Sequence, residues 1–253
     1  MIDVEESKAR RVLRMAKEAI ESDDVEGLRK IVEEDRWILN FWSVAEDPDD
    51  NAEKSNWTIF HLAALQDRVL CVKYLAGEGA DIHSPWSRSN ELPATPLSLA
   101  IMCDDDCERE SMFASLMDSP RIQSGGDFGW QRAMEAAAIS GRASIMSAIA
   151  QRVGPRGNSL WQGICDPDGE RLLHLVARVG SEEALALALS FEGVPAQMSE
   201  QSTEGITPMK MAERHGHGEM AEKMRLREEA KREQVELQEL IEPEQKKVPS
   251  LRI

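Results

Sequence analysis

Asn56-Trp57-Thr58-Ile59-Phe60-His61-Leu62-Ala63-Ala64-Leu65-Gln66-Asp67-Arg68-Val69-Leu70-Cys71-Val72-Lys73-Tyr74-Leu75-Ala76-Gly77-Glu78-Gly79-Ala80-Asp81-Ile82-His83 is the stretch whose reading decides the fold. Thr58 is placed to cap a helix, its hydroxyl accepting from a free backbone N–H of the first turn. Phe60, Leu62, Ala63 and Ala64 then predict a short helix with one large and one small apolar side. Asp67 falls where that helix must stop. Val69, Val72, Tyr74 and Leu75 predict a second short helix, and Gly77 and Gly79 end it by accepting positive φ. Two helices this short cannot bury their own apolar faces, so the unit requires neighbours stacked on it.

The stretch resembles an ankyrin repeat, whose motif runs Thr-Pro-Leu-His-x-Ala-Ala, a Gly turn, Val-x-x-Leu-Leu, then Gly-Ala-Asp. Thr58, His61, Ala63, Ala64, Val72, Leu75, Gly79, Ala80 and Asp81 match it, whereas Ile59, Phe60 and Asp67 depart from it. Units in phase with it recur along the chain. Arg14, Thr58, Thr95, Arg132, Arg171 and Thr207 are the positions equivalent to its threonine, separated by 44, 37, 37, 39 and 36 residues. Thr95-Pro96-Leu97 opens the third unit, and proline costs no hydrogen bond at a first helical position. Ala136, Ala137, Ala138 and Gly141 mark the fourth, Leu173, His174, Ala177 and Gly180 the fifth, and Thr207, Pro208 and Ala212 the sixth.

The resemblance implies an all-α ankyrin-repeat solenoid of about six helix–turn–helix units with long inter-repeat loops and a C-terminal helix. The repeats are placed at 8–39, 56–83, 93–122, 130–153, 167–195 and 205–227, within a domain spanning 1–227. Residues 228–253 are read as a charged helix and a tail bracketed by Pro243 and Pro249. Leu226, Ala230, Leu237, Leu240 and Ile241 give that helix a partial apolar stripe, interrupted at Glu233.

The 253 residues carry a formal charge of −16, nearly all of it in the repeats. That charge argues against a nucleic-acid phosphate backbone as target and favours a basic protein partner. Cys71, Cys103, Cys107 and Cys165 show no C-x-x-C pairing, the pattern of free thiols in a reducing compartment. No apolar leader and no membrane-length apolar run is read, so the expected location is cytoplasmic, with the nucleus open.

Chemical motifs each meet a simpler reading. His61 and His174 occupy the repeat's structural histidine position. His215 and His217, with the distant Cys103 and Cys107, lack zinc-site spacing. Asp166-Pro167-Asp168-Gly169-Glu170 lacks the remaining ligands of a calcium loop, and Gly125-Gly126 lacks the lysine of a phosphate loop. No nucleophile motif is recognised, so neither enzymatic activity, cofactor nor metal is expected. The resemblance implies non-catalytic protein recognition, as scaffold or adaptor, through loop tips and the concave helix face. Trp42, Trp57, Trp86, Trp130 and Trp161 all stand before or at a threonine-equivalent position, and tryptophan is enriched at interface hot spots. With Asp104 and Asp105 they are the candidate contact residues. A regulatory or inhibitory subunit, and self-association through Glu219–Ile241, are the alternatives.

Overall fold

The computed structural model describes residues 2–41, 57–86, 94–102, 106–119, 122 and 126–245. These form six helix pairs: α1 (Ile2–Glu21) with α2 (Val25–Glu34), α3 (Ile59–Leu65) with α4 (Val69–Gly77), and α5 (Pro96–Ile101) with α6 (Asp106–Met117). The series continues with α7 (Asp127–Ile139) and α8 (Ala143–Val153), then a short α9 (Gly157–Gln162). It ends with α10 (Leu172–Val179) and α11 (Glu182–Ser190), then α12 (Pro208–Arg214) and α13 (Gly218–Gln245). No strand longer than an isolated bridge occurs among the described residues.

First helices pack on first helices: α1 on α3, α3 on α5, α5 on α7, α7 on α10 and α10 on α12. Behind them α2 packs on α4, α4 on α6 and α8 on α11. The result is two layers sharing one continuous core that runs from Val12 to Met224. Helices of six to nine residues are too short to be stable alone in water, so this stacking is what holds them. In α3 all residues from Ile59 to Ala64 are buried.

The turn inside each pair has a backbone signature. Asp23, Asp67, Gly141, Gly180 and Gly216 all have positive φ, and each stands nine residues after its unit's opening residue. Aspartate tolerates this region better than most residues, which is why Asp67 replaces the expected glycine. The residue that follows donates its N–H back five positions: Asp24 to Ala19, Arg68 to Ala63, Arg142 to Ala137 and His217 to Ala212, at 2.8–2.9 Å. Small alanines there let the second helix turn back closely. At Gly180 a Cβ would meet the His217 ring at 2.3 Å, so positive φ and the close approach both require glycine.

Several elements differ from the sequence reading. Helix α1 starts at Ile2, not near Arg14, and α7 starts at Asp127, a turn before Trp130. Helix α13 continues through Pro243 to Gln245. The insert α9 and the 3-10 turns Arg36–Asn40 and Val194–Ser199 follow no repeat pattern, and pack where connections cross the stack.

Histidines tie the joints between units. His61 Nδ1 accepts the Thr58 N–H at 3.1 Å, which makes Nε2 the protonated nitrogen, donating to Ser84 O at 2.9 Å. His174 does the same between the Arg171 N–H (3.1 Å) and Ile206 O (2.9 Å). His83 reaches Ile122 O at 3.1 Å and His217 reaches Arg178 O at 3.2 Å. Burial lowers the pKa of His61 to about 4, and lowers those of His83 and His174. A depressed histidine pKa contributes stability that is present above the unfolded value of 6.5 and is lost as pH falls through the folded one. Melting curves followed by circular dichroism should therefore drop in Tm between pH 6.5 and about 4. His61→Asn should remove about 3 kcal/mol of that pH dependence while lowering stability at pH 7. An unchanged pH profile in the variant would mean another group controls acid unfolding.

Candidate functional site

The stacked first helices repeat one position at the surface. Leu65, Met102, Ile139, Arg178 and Arg214 each stand seven residues after the opening residue of their units, at or next to the ends of α3, α5, α7, α10 and α12. Neighbouring packed helices lie roughly 10 Å apart, so these side chains form one row across the stack. Leu65 is half-buried, Met102 is 51% exposed and Ile139 37% exposed. The half-buried Ser140 and Val179 flank the row one residue further on. Its end at the fifth and sixth units is charged but balanced: Arg178 pairs with Glu170, and Arg214 with Glu204 at 2.9 Å. An apolar ridge in one half and guanidinium groups in the other suit contact with a folded surface or helix.

The tryptophans sit elsewhere. Trp57, Trp86, Trp130 and Trp161 are all buried. Trp86 closes the second connection by exchanging backbone hydrogen bonds with Ala94 at 2.7 and 2.8 Å, and its ring meets that of His61 edge-on at 5.9 Å. Trp130 belongs to α7, against the His83 ring at 4.9 Å, and Trp161 to α9, 6.1 Å from the Phe191 ring. Two of the four therefore lie in helices rather than loops, and all four fill joints between units instead of presenting a ring to solvent. Long connections leave gaps in the core, and an indole is the largest side chain available to fill them. Trp42, Asp104 and Asp105 lie outside the described residues. An aromatic missed by the sequence reading is Trp37, 40% exposed, edge-on to Phe41 at 4.9 Å and donating from Nε1 to Asp35 at 3.0 Å. Its signal was its position just past the end of α2, where nothing in the repeat would cover it.

The fourth unit replaces the threonine–histidine pair by Arg132 and Glu135. Both are buried and paired at 2.6 Å, with the guanidinium 5.6 Å from the Phe128 ring centre. Burial pushes the Glu135 carboxyl up and nearby Asp166 adds to this, while Arg132 pulls it down. Cys71 is buried, and burial with Asp23 beside it pushes its thiol up to about 12, far from a reactive thiolate. Among the described residues no group of three or more His, Cys, Asp or Glu side chains is arranged to hold a metal ion, and no helix is long and apolar enough to cross a membrane.

Residues 55–86 match the sequence model of the ankyrin repeat. Among solved structures, the crystal structure of EF0377, an ankyrin repeat protein, aligns with a TM-score of 0.53 at 17% identity, covering 83% of this chain and 96% of that one. The fold is an ankyrin-repeat solenoid. At 17% identity the likeness speaks for architecture alone. No curated protein matches the chain.

If the buried indoles are joint fillers, truncating one acts on folding. Trp130→Ala should cost about 3–5 kcal/mol and lower Tm by roughly 10 °C. A Trp130→Ala chain that melts like the parent would show that the ring is not part of the core.

Proposed function

We propose that this protein is a non-catalytic protein-binding module, a scaffold or adaptor, that docks its partner on the row Leu65–Met102–Ile139. The observation carrying this reading is that large apolar side chains, exposed at Met102 and Ile139 and half-buried at Leu65, recur at one position of three successive stacked helices. Isolated exposed apolar residues are ordinary, but an aligned ridge on a rigid array is a feature of binding faces. The charge of −16 favours a partner of net positive charge and speeds its approach. Cys71 and Cys165 are free, which suits a reducing cytoplasm.

The test is a comparative pull-down from lysate using parent, Met102→Arg/Ile139→Arg and Trp42→Ala proteins. Met102 and Ile139 are exposed, and surface substitutions change stability by only about 0.5 kcal/mol, so the double variant should melt like the parent by circular dichroism, and Trp42→Ala is compared once its melt is shown to match. A protein retained by the parent and depleted at least roughly tenfold by the double variant places docking on the row. If only Trp42→Ala loses it, docking belongs to the connection instead. If neither variant matters, the reading is overturned.

A further inference from the structure

Helix α13 outruns the solenoid. Met220, Ala221 and Met224 bury one of its faces against the sixth unit, and Lys223 is pinned to Glu182 of α11 at 2.5 Å. Beyond Met224, residues 225–237 are exposed apart from the half-buried Glu228, and the helix runs on to Gln245. At 1.5 Å per residue this segment is roughly 30 Å long, and its inner side, with Glu228, Arg232 and Val235, lines a groove with Pro195, Ala196 and Met198 of the Val194–Ser199 turn.

Its side chains are sorted into three lanes. Leu226, Ala230, Glu233 and Leu237 follow one another at spacings of four, three and four, and Leu240 continues the series in the sequence. At 100° per residue this lane lies on the opposite side of the helix from Met220, Ala221 and Met224. Leu226 and Leu237 are 52% and 59% exposed. Glu222, Glu229 and Glu236 line one edge of the lane, and Arg227 and Gln234 line the other. A helix with an apolar lane and little else to bury is marginal alone in water, and cis pairs support it only modestly: Arg225 with Glu222 (2.6 Å) and Glu229 (3.2 Å), and Arg232 with Glu228 (3.7 Å).

The lanes are complementary to themselves in one orientation only. When two such helices lie parallel and in register, the acidic edge of each faces the other edge of its partner: Glu222 meets Arg227, and Glu229 meets Gln234. Antiparallel pairing sets acidic edge against acidic edge and brings Glu229 against Glu236 twice. The parallel form carries two like-charge layers in the seam, Glu233 facing its counterpart and Lys223, itself paired with Glu182, facing its own, against two Glu–Arg attractions. We propose that the projecting part of α13 is a homotypic interface, pairing parallel and in register with a second copy of this chain. The Glu233 layer keeps the association weak and reversible. Pairing would set two solenoids side by side and make the assembly bivalent, so that two modest contacts on a multivalent partner combine. The interface stands whether or not the Leu65–Met102–Ile139 row is the docking face.

Sedimentation velocity on the full chain, from micromolar to several hundred micromolar, should show a monomer–dimer equilibrium. Leu226→Asp/Leu237→Asp should leave only monomer without changing the melting curve, since both side chains are exposed. Glu233→Leu should tighten the dimer by roughly tenfold or more. Arg227→Glu and Glu222→Arg should each weaken self-association, and a mixture of the two should recover it. Under mild oxidation Leu237→Cys in a Cys165→Ser background should form a cross-linked dimer that Cys165→Ser alone does not. A parent chain that stays monomeric throughout, or a dimer indifferent to the leucine substitutions, overturns the proposal. A leucine-dependent dimer without the Leu237→Cys cross-link overturns the parallel register.

Discussion

What the structure depends on is that no helix pair can bury itself. A six-residue α5 or seven-residue α3 persists only because the helices on both sides complete its surroundings. Hydrophobic contact supplies the drive but not the register, since one apolar face slides on another at little cost. Register comes from directional tethers across the joints, and four of these are histidine rings donating to backbone carbonyls. An imidazole suits this task because its neutral form carries one donor and one acceptor, rigidly opposed. His61 and His174 use both, holding their own helix's first turn with Nδ1 and a neighbouring segment with Nε2.

The same physics decides what was legible in the sequence. The period was readable because positive-φ turns, small alanines and opening residues recur at fixed offsets, so that even Arg14 and Arg132 fall in phase with Thr58. A turn that needs positive φ leaves a mark on residue choice, as at Gly141 and Asp67. The connections leave no such mark. Helix α9 and the Val194–Ser199 turn exist because long connections need their own apolar plugs, which periodicity cannot announce. The tryptophans illustrate the ambiguity. An indole before a repeat serves equally as a contact or as a plug, and only the packing around Trp86, Trp130 and Trp161 separates the two. The row Leu65–Met102–Ile139 was readable in principle, since each member occupies a position where the repeat demands nothing. An apolar residue placed without a structural reason invites a functional one.

The joint between the fourth and fifth units is built differently. Where the second unit has Thr58 and His61, the fourth has Arg132 and Glu135, with Asp166, Glu170 and Arg178 close by on the fifth unit's side. Buried ion pairs add little net stability because desolvation offsets attraction, but breaking one leaves an uncompensated charge, so they enforce one arrangement. Three carboxylates share this region with two arginines, and burial raises the pKa of both Glu135 and Asp166. A raised carboxyl pKa contributes stability that is full at low pH and is lost as pH rises through the folded value. The histidine joints respond in the opposite sense: the His61 joint loses stability as pH falls from 6.5 toward about 4, and the His83 and His174 joints lose it in the same direction. Acidification thus strains the tethers of units two, three, five and six while relieving the ionic joint at the middle of the array. The same stack is held by two kinds of polar contact that respond to pH in opposite senses, so acidification loosens the joints tied by His61, His83 and His174 and not the fourth-to-fifth joint.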